Sequence, residues 1–166
     1  MTVTISPLSH ADPDAVEALL DAAFGADRHA RTAYRIRAGT IAVPALSFAA
    51  FDGAALVGTL QSWPVEVGGT PLVLIGPVAV DPAMQRGGIG RMLMTALIDA
   101  AGDTAMVMIG DPEYYGRFFG FTADATSGWD APGPVERHRL LARHADDLPK
   151  HGMLGPRAFA LAEPKA

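Results

Sequence analysis

The 166-residue chain contains no cysteine. This absence excludes a disulfide framework, a thiolate nucleophile and a thiolate metal site. The five histidines, His10, His29, His138, His144 and His151, do not have the spacing of metal ligands. We therefore expect no metal in this protein.

Positive charge is also scarce, because 13 Lys and Arg stand against 18 Asp and Glu and the formal net charge is -5. A protein that neutralises phosphates along nucleic acid needs the opposite sign, so we expect no nucleic-acid partner. No apolar run approaches the ~20 residues needed to cross a bilayer. The first residues, Met1 to Ile5, lack a basic segment followed by an apolar one. We expect a soluble, cytoplasmic protein with no membrane partner.

Hydrophobic residues make up 49% of the chain, enough for a sizeable core in one domain. We see no internal repeat. The sequence predicts a single domain over residues 1–166, with a core at 1–125 and a C-terminal extension at 126–166 packed on it.

The N-terminal half predicts alternating strands and helices. A strand at 2–5 precedes a helix that Asp12 caps and Gly25 ends. A second, basic helix is predicted at 28–38, and its arginines are most simply a solvated face. Residues 46–51 and 56–60 predict a hairpin around Asp52-Gly53, and Gly68-Gly69 marks the next turn.

The C-terminal third gives weaker signals. Beyond Phe121 the sequence turns irregular, with a late strand possible within 137–143. Residues 149–156 are typical of a loop, and residues 158–161 predict a short final strand.

The most informative stretch runs from Leu72 to Gly102. An apolar run at 72–80 predicts a buried strand, and Ile89, Leu93, Leu97 and Ala100 recur at helical spacing until Gly102. Between them lies Gln85-Arg86-Gly87-Gly88-Ile89-Gly90-Arg91. Glycines there allow a tight turn and a close approach to the backbone, while the first N–H groups of the helix point outward at its positive end. The turn is therefore a candidate phosphate site.

Two common nucleotide sites fit this turn poorly. A P-loop would need Gly-Lys-Ser/Thr after the glycines, and that sequence is absent. A dinucleotide fold would place the turn after the first strand of a βαβ unit, whereas several antiparallel strands are predicted before it.

Two motifs together resemble a known family. Gln85-x-x-Gly88-x-Gly90 after a strand is similar to the pyrophosphate-binding signature of the GCN5-related N-acetyltransferases, the GNAT superfamily. The stretch 106–121 matches the family's next segment in order and spacing. Its motif, Gly-Asp-Pro-x-Tyr-Tyr-x-Arg-Phe, is similar to that of a bacterial branch of uncharacterised acetyltransferases.

The resemblance implies a fold and a reaction. The fold would be α/β (α+β), with a mixed, mostly antiparallel twisted sheet and helices on both faces. The strand at 105–109 would run parallel to the strand at 72–80. The reaction would be direct transfer of acetyl from acetyl-coenzyme A to a primary amine in a ternary complex, without a metal. The acceptor stays open between a small molecule and a peptide, and a homodimer is common in the family.

The resemblance also implies where coenzyme A would bind. The pyrophosphate would meet the backbone of Gln85, Arg86, Gly87, Gly88, Ile89, Gly90 and Arg91. The pantetheine amides would pair with the exposed backbone of Val78, Ala79 and Val80. Gly76-Pro77 fits a bulge, because proline cannot donate to a ladder. The thioester carbonyl would lie against the N–H groups near Val78.

The leaving thiolate needs a proton, and a tyrosine hydroxyl against the sulfur can supply it. Tyr115 is the first candidate and Tyr114 the second. In the family a tyrosine commonly stands four residues before the glycine of the Gly-Phe pair, but here Gly116 occupies that position. The choice between the tyrosines therefore stays open, and both could instead pack a short helix onto the core.

No general base is assigned. Asp111 and Glu113 are near the tyrosines, but both are more typical of helix-capping and first-turn acids. The altered tyrosine spacing also leaves an alternative function, in which the domain binds acyl-coenzyme A as a sensor or scaffold without catalysis.

Overall fold

The computed structural model describes residues 2–85 and 87–157. Its strands and helices, in chain order, are β1 Val3–Pro7, α1 Pro13–Phe24, α2 Thr32–Ile36, β2 Phe48–Asp52, β3 Ala55–Val67, β4 Thr70–Val80, α3 Ile89–Ala101, β5 Met106–Ile109, α4 Pro112–Phe119, β6 Gly128–Asp130, β7 Leu140–Arg143 and β8 His151–Pro156.

The strands hydrogen-bond in the order β1-β2-β3-β4-β5-β7, and β8 pairs with both β3 and β6. The β1–β2, β2–β3, β3–β8 and β5–β7 pairs are antiparallel. The β4–β5 and β6–β8 pairs are parallel. The predicted α/β fold with a mixed, mostly antiparallel sheet is confirmed, as is the parallel neighbour of β4.

The chain divides into two compact units. The first unit comprises Met1–His29, Val43–Ser62 and Pro77–Gly102, and the second comprises Ala30–Ala42, Trp63–Gly76 and the chain from Asp103 onward. Strands β3 and β4 contribute residues to both.

In the first unit, helices cover both faces of the sheet. Asp12 caps α1 by accepting a hydrogen bond from the N–H of Asp14, and the buried side of the helix packs against Ala49 and Ala79. Successive strand residues face opposite sides, so Ala50 and its cross-strand partner Gly58 lie on the other face. Helix α3 packs there: a Cβ on Gly58 would come within 2.8 Å of Cγ2 of Ile89.

Helix α3 matches the predicted strand-turn-helix stretch, with one correction. Its buried side chains are Ile89, Leu93, Met94, Leu97 and Ala101. Ala100, which was expected to face inward, is exposed. The buried face continues from Leu97 by four residues rather than three, as the 3.6-residue period permits.

The predicted second helix at 28–38 is wrong as a continuous element. The structure has a 3₁₀ turn at Arg28–Ala30, an extended Arg31 and then the five-residue α2. Arg28 is only 3% exposed and forms ion pairs with Glu17 at 2.5 Å and Asp21 at 2.9 Å. It therefore does not belong to a solvated face, because α1 holds its side chain.

In the second unit, a core cluster joins strands that are distant in sequence. Trp63 of β3, Leu74 of β4, Val107 of β5, Trp129 of β6 and Leu154 of β8 all belong to it. This core lies where β3, β4, β5, β7 and β8 contribute inward side chains.

The expectation for the C-terminal third needs correction. Residues 149–156 were expected to form a loop, but His151–Pro156 is strand β8, paired with β3 through Val67 and Leu154. Strand β6 lies in the stretch expected to be irregular. The late strand is confirmed as β7, after a 3₁₀ turn at Arg137–Arg139. The predicted strand at 158–161 lies outside the described residues.

Candidate functional site

The predicted site residues form two groups, one in each unit. The residues at the end of β4 and around the glycine turn belong to the first unit, and both candidate tyrosines belong to the second.

Two hydrogen bonds of Asp81 fix the chain where it leaves β4 and enters the glycine turn. The N–H of Asp81 donates to the carbonyl of Val57 at 2.9 Å, and Oδ1 of Asp81 accepts from the N–H of Ala83 at 2.9 Å. This cap begins a 3₁₀ turn at Pro82–Met84, after which Gln85 is exposed. The chain therefore reverses immediately after the strand and leads into the glycines.

Gly88 is the N-cap of α3 and has left-handed backbone angles, φ 73° and ψ 16°. Glycine has no side chain with which to cap the helix, and both Gly87 and Gly88 are exposed. The N–H groups of Ile89, Gly90 and Arg91 occupy the first turn, where an α-helix offers no internal acceptor. The positive end of α3 is thus open to an anion.

Other members of the predicted phosphate site differ in what they can contribute. The N–H of Gly87 already donates to the carbonyl of Met84 at 3.1 Å. The side chain of Ile89 is fully buried and anchors the start of α3, whereas Arg91 is exposed. Arg86 lies outside the described residues.

The end of β4 lies beside the start of α3. Ala79 is buried, while Val78 and Val80 are half-buried. A Cβ on Gly90 would lie 3.8 Å from Cγ2 of Val80. An open groove of about 510 Å³ starts at Gly88 and follows the outer face of α3; it is lined by Ile5, Gly88, Arg91, Met92, Thr95, Ala96 and Asp99.

In the second unit, the parallel ladder between β4 and β5 is short. Their parallel ladder joins Val73 to Met106 and Leu74 to Val107. Beyond these pairs β5 stays in the sheet through β7, up to Ile109 opposite Leu140. The chain of β4 continues past Leu74 through Gly76, whose φ is +127°. The backbone is therefore irregular where the sequence predicted a bulge.

Helix α4 begins directly after β5 and is capped at both ends. Oδ1 of Asp111 accepts from the N–H of Glu113 at 3.0 Å, which confirms the interpretation of Asp111 as an N-cap. At the other end Gly120 is left-handed, and the N–H groups of Gly120 and Phe121 donate to the carbonyls of Gly116 and Tyr115. The bond from the left-handed Gly120 to Gly116 is the 5→1 contact of an αL cap, which ends the helix at Phe119.

Tyr115 is half-buried against the backbone that joins β5 to α4. A Cβ on Gly110 would lie 2.8 Å from ring atoms Cδ2 and Cε2 of Tyr115. Burial, then the neighbouring Tyr114 and Asp111, raise the pKa of the Tyr115 hydroxyl above its ordinary 10.0, while Arg139 lowers it. The hydroxyl is therefore protonated at neutral pH.

Aromatic rings pack along α4. The rings of Tyr114 and Tyr115 meet edge to face with centroids 4.9 Å apart, and Tyr114 also contacts Phe118 at 5.3 Å and Phe119 at 5.9 Å. None of the eight residues of α4 is fully buried, and Phe118 is 41% exposed. Both tyrosines thus pack among aromatic rings while remaining partly accessible.

Two residues near this group were not predicted as site residues from the sequence. Gly110 matters because the ring of Tyr115, five residues later in the sequence, packs against its backbone, and Trp63 because its indole reaches the backbone of β4. Only the folded chain reveals such contacts. Within residues 2–85 and 87–157, no three His, Asp or Glu side chains come together in a way that could hold a metal ion. In the same part of the chain, no helix has the length and apolar character to cross a membrane.

Comparison with protein families gives a match at residues 14–121 to the model described as the Acetyltransferase (GNAT) family. Comparison with curated proteins gives no match.

Comparison with solved structures gives several matches. The GNAT family N-acetyltransferase YhbS from Escherichia coli, in complex with CoA, has a TM-score of 0.70 and 25% identity over 96% of this chain and 91% of its own. A GNAT family acetyltransferase from Brucella melitensis, in complex with acetyl-CoA, has a TM-score of 0.54 and 29% identity over 87% and 97%. Naa50 from Arabidopsis thaliana, with the bisubstrate analogue CoA-Ac-MVNAL, shares the fold at a TM-score of 0.56 and 17% identity over 86% and 99%.

Proposed function

We propose that this chain, which belongs to the GNAT family of acetyltransferases, transfers acetyl from acetyl-coenzyme A to a primary amine. The observation that carries the proposal is the uncapped, exposed N-terminus of α3 at Gly88, placed directly after β4. Two similar structures, from E. coli and B. melitensis, contain CoA and acetyl-CoA.

The pyrophosphate would bind to the first turn of α3. The N–H groups of Ile89, Gly90 and Arg91 are directed out of the helix end by position, and an anion there is stabilised by the helix dipole. Gln85, Gly87 and Gly88 are exposed beside them. The side chains of Arg86 and Arg91 would add positive charge. The backbone of Val78, Ala79 and Val80 would hydrogen-bond with the pantetheine amides.

The acceptor amine would attack the thioester carbonyl carbon directly. The new C–N bond forms, the C–S bond breaks, and its electron pair leaves on sulfur. Tyr115 would donate its hydroxyl proton to that thiolate and regain one from solvent, while the amine loses its extra proton to solvent through a base that we do not assign. Because the pKa of Tyr115 is raised, the hydroxyl is protonated at neutral pH, so a proton is available where the thiolate would form. Tyr114, whose ring centroid lies 4.9 Å from that of Tyr115, is the second candidate.

Thermal unfolding with acetyl-coenzyme A, beside ATP and NAD at equal concentration, tests the cofactor. At about 100 times its dissociation constant a ligand adds ~2.7 kcal/mol, or roughly 5 to 10 °C in a chain of this size. We expect this shift with acetyl-coenzyme A alone. No shift, or one with NAD instead, would remove the cofactor assignment.

Turnover separates catalysis from binding alone. Thiol release from acetyl-coenzyme A should depend on an added amine, tested with small-molecule amines, a lysine peptide and a peptide with a free N-terminus. The extra residue between Tyr115 and the Gly-Phe pair favours one second candidate, a non-catalytic acyl-coenzyme A sensor. A selective thermal shift without turnover on any amine would favour that sensor.

A further inference from the structure

A side chain is fixed beside the point where the ladder of β4 and β5 ends. Nε1 of Trp63, on β3, donates a hydrogen bond to the carbonyl of Gly76, on β4, at 2.7 Å. Trp63 is 8% exposed and Gly76 is half-buried. The contact lies two residues beyond Leu74, the last residue of β4 in the parallel ladder with β5.

The direction of this hydrogen bond is informative. Strand side chains stand roughly perpendicular to the sheet, whereas ladder carbonyls lie within it. A side-chain N–H reaches a neighbouring strand's carbonyl only when that carbonyl turns out of the plane. The φ of Gly76 is +127°, which residues with a side chain rarely adopt, so the backbone departs from regular strand geometry at the residue whose carbonyl accepts this bond. The next residue, Pro77, has no N–H to return to the ladder.

A stacked arginine side chain also holds the indole of Trp63 in place. The guanidinium carbon of Arg37 lies 3.6 Å from the centroid of the Trp63 ring and 4.0 Å from that of Tyr34. Arg37 follows α2, so that helix positions the indole. Stacking of a cation on two rings restrains all three side chains.

We propose that Trp63 is a positioning residue for the acyl end of the cofactor. Its indole N–H holds the Gly76 carbonyl out of the ladder, which keeps the pairing with β5 from extending past Leu74 and leaves the backbone after Pro77 available to the pantetheine arm and thioester. The inference rests on the proposed function, since it concerns how the same cofactor is held. It assigns no contact between Trp63 and the pyrophosphate.

The test uses two ligands. Acetyl-coenzyme A would bind both the glycine turn and the backbone after Pro77, whereas 3′-phospho-ADP, the same cofactor without pantetheine, would bind only the turn. Trp63→Phe keeps a ring for Arg37 but removes the donor. We expect its affinity for acetyl-coenzyme A, measured by titration calorimetry, to fall about 10-fold, because the Gly76 carbonyl loses the donor that holds it. Its affinity for 3′-phospho-ADP should be unchanged.

Trp129→Phe is the matched control. Trp129 is fully buried in the same core cluster, and its Nε1 donates to the carbonyl of Pro149 at 2.8 Å. This variant loses the same kind of hydrogen bond away from β4. It should lose stability, as Trp63→Phe does, but keep wild-type affinity for both ligands.

The wild-type protein offers a second measurement that does not depend on a variant's folding. The chain has two tryptophans, so its nitrogen-15 NMR spectrum has two indole N–H signals. Acetyl-coenzyme A should shift the Trp63 signal more than that of Trp129, and 3′-phospho-ADP should leave both in place. Unchanged acetyl-coenzyme A affinity in Trp63→Phe, or an unmoved Trp63 signal on saturation, would overturn the role of Trp63 alone. Failure of the wild-type protein to bind acetyl-coenzyme A would overturn the proposed function as well.

Discussion

The ring of Tyr115 lies so close to the backbone of Gly110 that a Cβ there would come within 2.8 Å of Cδ2 and Cε2. Gly110 is the residue between β5 and the cap of α4, and its N–H donates to the carbonyl of Arg139 at 2.9 Å. The ring is therefore located by a backbone segment that is itself hydrogen-bonded to the 3₁₀ turn before β7.

Gly110→Ala should displace the Tyr115 ring, because contacts this short force something to move. If the hydroxyl acts on the leaving thiolate, kcat should fall about 10- to 100-fold, as for a misplaced catalytic group. Affinity for acetyl-coenzyme A should change little. Steady-state kinetics and titration calorimetry measure the two quantities.

Two comparisons show whether the loss passes through Tyr115. In a Tyr115→Phe background, Gly110→Ala should cost little more, because the two changes act on one group. Gly155→Ala in β8 places its Cβ in open space and should keep wild-type turnover. Independent, additive losses in the double variant would contradict this relationship.

Tyr115→Phe should lower turnover by roughly 10² to 10⁴ with nearly unchanged cofactor affinity, because it removes only the proton donor. Turnover equal to that of the wild type would pass the role to Tyr114 or to water. Tyr114→Phe, made in parallel, shows which of the two tyrosines matters.

The raised pKa of Tyr115 predicts a pH dependence of stability. The folded state favours the neutral hydroxyl, so its contribution is fully present below the unfolded pKa of 10.0 and is lost as pH rises through the folded pKa. Denaturant unfolding of wild type and Tyr115→Phe should therefore differ by a constant amount from pH 7 to 9. The wild type should lose relative stability above pH 10. Tyrosinate absorbance from Tyr115 at pH 8 to 9 would contradict the assignment.

Local patterns predicted the central stretch well, and distant contacts explain the failures. The strand, glycine turn and helix from Leu72 to Gly102 follow from the hydrophobic periodicity and from the positions of proline and glycine alone. Strand β8 carries two glycines and a proline, and it forms because Leu154 pairs with Val67, far away in sequence. Likewise, the predicted helix at 28–38 is not continuous because Arg28 forms ion pairs with Glu17 and Asp21 of α1.

The same distinction applies to the site. The open helix end at Gly88 could be predicted because adjacent residues create it, whereas the contact between Trp63 and Gly76 spans two strands. The functional roles of the site residues, the single-domain organisation and a homodimer stay predictions.

Gly88→Val should abolish binding of 3′-phospho-ADP, because a branched side chain would cover the helix end and strain a left-handed backbone. Gly120→Val is the matched control, since Gly120 has nearly the same angles, φ 74° and ψ 20°, at the end of α4. Both variants should lose about 1–2 kcal/mol of unfolding free energy from strain. Only Gly88→Val should lose the ligand; equal affinity in both would contradict the phosphate site at α3.

The ion pairs of Arg28 predict an asymmetry in stability. Arg28 is buried, while the side chains of Glu17 and Asp21 are 58% and 50% exposed. Removing both carboxylates, in Glu17→Gln with Asp21→Asn, leaves a buried guanidinium without their charge and should cost about 2–4 kcal/mol. Arg28→Met leaves only carboxylates that water can solvate, so it should cost about 1 kcal/mol. Urea unfolding at pH 7 measures both, and a larger loss in Arg28→Met would show that packing of the arginine, rather than its charge, holds this turn against α1.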